Sequence, residues 1–184
     1  MDALEMLRED HRKVQEMFEQ FERSEDPQAK QQICAEALTA LKVHAALEEE
    51  LFYPAVREVI DDEEKVDEAL EEHHVAKLLV SELEEMDAGD DHFDAKFKVL
   101  AESVKHHIEE EESEIIPAVE SQLDTEDLGE RMAELKQDLE QKMSDGSGRG
   151  RASPSSRTRA KGRASGTRRH TSGSRGSRSK RRRA

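Results

Sequence analysis

Two stretches of the 184-residue chain repeat one another: HAALEEELFYPAV from His44 and HIEEEESEIIPAV from His107. Aligning their prolines sets His44 over His107 and Glu48 over Glu111, each Glu four residues after its His. At about 100° per residue, positions i and i+4 share a helix face, so each imidazole and carboxylate aim at one spot. Both pairs fall on an apolar stripe, in line with Leu41 and Leu51 in one case and Leu100, Val104 and Ile115 in the other. An ionised carboxylate on a core face is costly unless it is paired or coordinates a metal. Two further segments bring histidines to the same level, His11 in one and His73 or His74 in the other.

A single inward histidine would be most simply a satisfied core residue. Four helices that each place one at mid-length, two of them with a Glu at i+4, point instead to metal binding. Imidazole and carboxylate together suit iron, manganese or zinc, and a set without thiolates argues against copper(I) or an iron-sulfur cluster. Two carboxylates able to bridge, with four or five imidazoles, fit a dinuclear centre that leaves positions for solvent or a small molecule. On the third segment Val66, Ala69, Leu70, Ala76 and Val80 all lie within about 60° of His73, so the helical wheel favours His73 as the inward residue. His74 is kept as a second ligand or a partner to one. His106 and His92 are expected in solvent, as are Glu49, Glu50, Glu109, Glu110 and Glu112, although any of these carboxylates could hold a ligand imidazole. Lys77 and Tyr53 are the candidate proton donors beside an open metal position.

The elements that must position these residues are helices. The body has many Glu, Leu, Ala and Lys and only six aromatic residues, a composition that favours helix. Leu4, Leu7, His11, Val14, Phe18 and Phe21 mark the first helix, after Asp2 as its N-cap. Asp26-Pro27 starts a second over roughly 27–53, which Pro54 should end or kink. A third is expected over roughly 63–86 and a fourth from about 91 to Pro117. A fifth pattern (Leu128, Met132, Leu135, Leu139) follows Thr125 and is expected on the outside. The fold class is therefore all-α, an up-down-up-down four-helix bundle with an additional C-terminal helix.

The phrases LREDHRKVQEMFEQF, VHAALEEELFYPAVRE, EEHHVAKLLVSEL and VKHHIEEEESEIIPAV, in that order, resemble the hemerythrin-like, HHE cation-binding domain over about residues 1–120. The resemblance implies a non-haem di-iron centre held by histidines and bridging glutamates. Carried over residue by residue, it makes His11, His44, Glu48, His73, His107 and Glu111 the iron ligands. Two departures separate the chain from the oxygen-carrying hemerythrins. Those have a His-x-x-x-His pair on the third helix, where this chain has Lys77 four after His73, and an Asp five residues after the last His, where this chain has Glu111 four after His107.

Residues 1–143 carry a net charge of −28 and residues 144–184 a net +13, which together give the −15 of the chain. The second segment is built almost entirely from Gly, Ser, Arg, Ala and Thr, with no Leu, Ile, Val, Met or aromatic residue, so a disordered basic tail is expected. Such a segment gains affinity for polyanions by releasing counterions, and residues 149–183 are a candidate contact for nucleic acid or another acidic partner. It has no stacking aromatics to read sequence. No apolar run approaches the roughly 18 residues needed to span a bilayer. No secretory leader is apparent, and the lone Cys34 excludes an intrachain disulfide, so the cytoplasm is the expected compartment. Three roles stay open: a binding or sensing protein for oxygen, nitric oxide or iron; a di-iron enzyme acting on peroxide or oxygen; and a nucleic-acid-associated protein.

Overall fold

The computed structural model describes residues 2–147, and side-chain surroundings to residue 144. Of residues 144–184, expected as a disordered tail, 144–147 continue the last described helix and the remainder lies outside the described residues. Helix α1 (Ala3–Arg23) begins where the Asp2 carboxylate accepts from the amides of Leu4 and Glu5, a cap worth about 1 kcal/mol. Asp26 caps α2 (Pro27–Leu47) in the same way, with Pro27 in the first turn, where its missing N–H costs nothing. Then come α3 (Tyr53–Arg57), α4 (Glu64–Glu84), α5 (Phe93–Glu110), α6 (Ile116–Val119) and α7 (Thr125–Ser147). No strand occurs among the described residues, and none of their helices is long and apolar enough to cross a membrane.

Each long helix of the bundle has two neighbours: α1 packs on α2 and α5, and α4 packs on α2 and α5. Short connections make successive helices antiparallel, giving the expected up-down-up-down order. Helix α7 lies outside against α1 and α2, where Lys136 Nζ donates to both oxygens of Asp10 at 2.6 Å.

Pro54 does not end the second helix as its type suggests. The chain passes through a π-turn, Glu48–Phe52, in which the Tyr53 amide donates to the Glu48 carbonyl five residues back. Glu111–Ile115 repeats this before Pro117, with the Ile116 amide on the Glu111 carbonyl. The widened turn suits a proline that brings no amide hydrogen to the next one. It also changes which residues face inward. In an α-helix, position i+5 points well away from i; across a π-turn, i+4 and i+5 both come back over i. Hence Phe52 and Tyr53 are buried together with Glu48, and Ile115 and Ile116 with Glu111.

The apolar interior falls into two clusters. One gathers Leu4, Leu7, Leu47, Phe52, Tyr53, Val66, Ile116 and Met132; the other gathers Val14, Phe18, Phe21, Leu83, Phe93, Phe97 and Leu100. His11 sits between Leu7 of the first and Val14 of the second, and His73 between Ala69 and Val80. The bundle is thus two hydrophobic plugs with a polar layer between them. Cys34 belongs to the second plug, and burial pushes its thiol up to about 12, in keeping with a small apolar filler.

Candidate metal centre

The polar layer contains His11, His44, Glu48, His73, His107 and Glu111, all buried, with Glu48 at 0 % exposure. Their ligating atoms form two groups. Those of His11, His44, Glu48 and Glu111 lie within 4.8 Å of one another, as do those of Glu48, His73 and His107. Glu48 belongs to both: its Oε1 is 3.0 Å from His44 Nε2 and its Oε2 is 3.1 Å from His73 Nε2. Glu111 Oε2 stands 3.2 Å from His11 Nε2. His74 is exposed and outside both groups.

Although imidazole nitrogens approach these carboxylates closely, no oxygen of Glu48 or Glu111 has a hydrogen-bond partner. The nitrogens crowd each other too: His11 Nε2 is 3.1 Å from His44 Nε2, and His73 Nε2 is 3.1 Å from His107 Nε2. What the second pair can do follows from the far side of each ring. His73 Nδ1 is 2.9 Å from Glu49 and His107 Nδ1 is 2.8 Å from Glu72. A carboxylate only accepts, so each Nδ1 is the donor and each neutral ring presents a bare Nε2 lone pair. Two lone pairs cannot face each other at that distance without a positive charge between them. Neighbouring ligands on an ion with bonds of about 2.0–2.2 Å lie about 3 Å apart, so the spacing and the chemistry of these donors fit a metal.

Protons hold the arrangement otherwise. Burial alone would depress His11, but the carboxylates of Glu111, Glu48 and Glu112 outweigh it and raise the imidazole to about 9. For His73, burial is likewise outweighed by Glu48 and Glu49, again to about 9. Burial pushes Glu48 up, yet His44 and His73 hold it well below the usual carboxylate range. Glu111 goes the other way, raised by burial and by the Glu48 charge beside it. Tyr53 is buried with its hydroxyl unpartnered, its ring 5.6 Å from that of His73. Its phenol is pushed well up by burial and by Glu48 and Glu111. Lys77, the other candidate donor, is 51 % exposed and spends its charge on Glu49, the carboxylate behind His73.

The outer carboxylates follow a rule that the repeated phrases contain. Glu49 and Glu112 each come one residue after a buried Glu, and each reaches the Nδ1 of a histidine on the next helix, His73 and His11 respectively. Glu72, which sequence reasoning missed, comes one residue before His73 and holds His107. Asp10 has the same place before His11, and the matching partner would be His44. Instead Lys136 of α7 holds Asp10, and His44 Nδ1 is without a partner.

A cavity of about 760 Å³ reaches this layer, touching His44, His73 and His107 and walled largely by apolar side chains such as Val14, Ala76 and Val104. A second cavity of about 30 Å³ meets His107 and Glu111 from a wall of glutamates.

Residues 2–119 match the family model described as the hemerythrin HHE cation-binding domain. A DNA nickase from Nostoc sp. is 29 % identical over 136 residues, covering 74 % of this chain and 38 % of the relative. An uncharacterized hemerythrin-like protein from Schizosaccharomyces pombe is 28 % identical over 120 residues, 64 % of this chain and 59 % of the relative. The chain therefore spans less than two thirds of either relative's length. A hemerythrin HHE cation-binding domain-containing protein from Mycobacterium kansasii superposes with a TM-score of 0.69 at 23 % identity, over 83 % of this chain and 96 % of that one, a likeness of fold.

Proposed function

The chain belongs to the hemerythrin HHE cation-binding family, and from that premise we propose that it holds a non-haem di-iron centre which binds or senses a small molecule such as oxygen or nitric oxide. One iron would take His11, His44 and Glu111, the other His73 and His107, with Glu48 between them. The observation that carries this reading is the division of Glu48, whose two oxygens face two different histidine groups.

The iron pair, when bound, supplies affinity for small gases and one-electron redox chemistry. The chain's own part is positional. Glu49, Glu72 and Glu112 fix three imidazoles by their Nδ1 hydrogens, so that each keeps its Nε2 for the metal. The two apolar plugs exclude bulk water from the layer. The larger cavity supports the small-molecule reading, because an apolar passage to His44, His73 and His107 admits oxygen or nitric oxide more readily than ions. The lone buried Cys34 accords with a cytoplasmic setting.

The test is to load the full chain with ferrous iron and record the visible spectrum before and after reduction and after adding nitric oxide. Charge-transfer bands that bleach on reduction, and a new spectrum with nitric oxide, are expected. A colourless protein would reject the reading.

Two other roles have specific support. Tyr53, with its buried free hydroxyl beside the layer, is a proton donor suited to a peroxide-consuming enzyme; turnover by the iron-loaded chain, lost in Tyr53→Phe with iron retained, would select that role. The relative named as a DNA nickase and the arginine-rich stretch 149–183 favour association with nucleic acid. Removing residues 148–184 should then abolish salt-sensitive retention on DNA.

A further inference from the structure

The larger cavity that reaches the centre is walled largely by apolar side chains, which suits a small gas and leaves a divalent ion in need of a more polar route. We propose that one face of the bundle carries a cation-entry site, formed by Glu72, His106 and Glu110, that feeds the buried layer through a short acidic passage. The inference rests on the di-iron reading above.

Three observations point to it. Ligating atoms of Glu72, His106 and Glu110 lie within 4.8 Å of one another at the surface. His106 Nε2 is 3.3 Å from Glu110 and 3.9 Å from Glu72, and its side chain is 63 % exposed. Imidazole with two carboxylates is a donor set for a divalent first-row metal, and an exposed one binds reversibly.

Glu72 and Glu110 of this group also line the cavity of about 30 Å³, whose wall further includes Glu68 and Glu114. A space of that size holds a water or a partly dehydrated ion. Its inner end is Glu111, buried, with neither oxygen hydrogen-bonded, next to His107. An unpartnered buried carboxylate at the end of an acidic passage is a destination for a cation.

Glu72 joins the two ends. Its Oε1 belongs to the outer group, while Oε2 accepts from His107 Nδ1 at 2.8 Å. An ion on the outer site is thus one carboxylate away from a ligand of the inner one.

Lys65 is the opposing element. It walls the same cavity and pairs with Glu114, so its ammonium repels an entering cation and occupies one of the acids that would draw it in. Its side chain is only partly buried and can swing away. The passage therefore has four attracting charges and one gate of the opposite sign, and changes to the two should act in opposite directions.

The experiment follows uptake of ferrous iron under anaerobic conditions by the full chain, first stripped of metal by chelation. Samples are quenched at intervals with a coloured ferrous chelator, and iron that resists it is counted as buried. In the double variant His106→Ala/Glu110→Gln, initial uptake should slow about fivefold or more at low salt, since local charge of this kind changes association rates by factors of 10 to 10³. The final iron content should equal that of the unaltered chain. Lys65→Met should load faster, and added salt should shrink both differences. Uptake by the double variant at the unaltered rate would overturn the entry site, as would a lowered final content, which would make these residues structural. Failure of the unaltered chain to protect any iron would instead remove the di-iron reading beneath it.

Discussion

Loading the centre must expel protons, and the structure says how many. His11 and His73 are each raised to about 9 in the metal-free protein, so at pH 7 each is roughly 99 % protonated. Each Nδ1 hydrogen is committed to a carboxylate, so the proton a metal displaces is the one on Nε2. Filling the centre at pH 7 should therefore release close to two protons per chain from these two residues, and about one at pH 9. Removing both at pH 7 costs about 5 kcal/mol. Structural zinc sites reach apparent values of roughly 10–16 kcal/mol at pH 7 with their own proton release included, so metal binding can bear a cost of this size, and apparent affinity should rise about 100-fold per pH unit between pH 7 and 8. Anaerobic titration of the stripped chain with ferrous iron in weak buffer containing a pH indicator measures the release. Calorimetry in two buffers of different ionisation enthalpy provides a second count. Release below one proton at pH 7, or equal release at pH 7 and 9, would refute the pairing of these imidazoles with Glu48, Glu49, Glu111 and Glu112.

Other expectations follow from the same contacts. His107→Ala should strongly lower the iron that survives desalting while circular dichroism keeps its helical signal, because the two apolar plugs supply most of the stability; full iron retention would remove His107 from the ligand set. The metal-free chain should be less stable in urea at pH 9.5 than at pH 6, by several kcal/mol. The raised folded-state values of His11 and His73 stabilise fully below the ordinary 6.5, and that contribution is lost as pH rises through about 9. Glu48, held low, acts in the opposite sense, its share being lost as pH falls below the ordinary carboxylate range. Lys136→Met should free Asp10 to accept from His44 Nδ1 and tighten iron binding severalfold in a chelator competition, since such partners change metal affinity by about 10–100-fold. His92 starts α5 with φ at 72°, so His92→Gly should raise the urea midpoint by about 1 kcal/mol in stability.

Most of the polar layer is legible in the repeated phrases. Apolar residues at helical spacing set the inward faces, and His11, His44, Glu48, His73, His107 and Glu111 all lie on those faces. The helical wheel favours His73 over His74, because the His73 face is the one continuous with Val66, Ala69 and Val80, and the structure buries His73 and exposes His74. The weaker stripe of α7 likewise matches its packing outside the bundle. The π-turns have no such signal. A proline after a buried carboxylate reads as a helix end or kink, and only the backbone shows the chain widening to keep going. Consequently Tyr53 can be named from the sequence as a candidate proton donor but not placed by it: five residues after Glu48 it would point away in an α-helix, whereas the π-turn carries it over the same carboxylate. Glu72 is hidden for another reason: its partner is on a neighbouring helix, and no periodicity within one helix reports a contact between two. The departure at His44 has the same origin, since Lys136 reaches Asp10 across 126 residues of sequence.

If Glu48 serves two metal ions at once, the most direct measurement is the iron content of the loaded, desalted chain, compared with that of Glu48→Gln. Two irons per unaltered chain, magnetically coupled in Mössbauer spectra, and a loss of coupling with at most one iron in the variant are expected. One isolated iron or none in the unaltered chain, or two coupled irons persisting in Glu48→Gln, would contradict the bridging role.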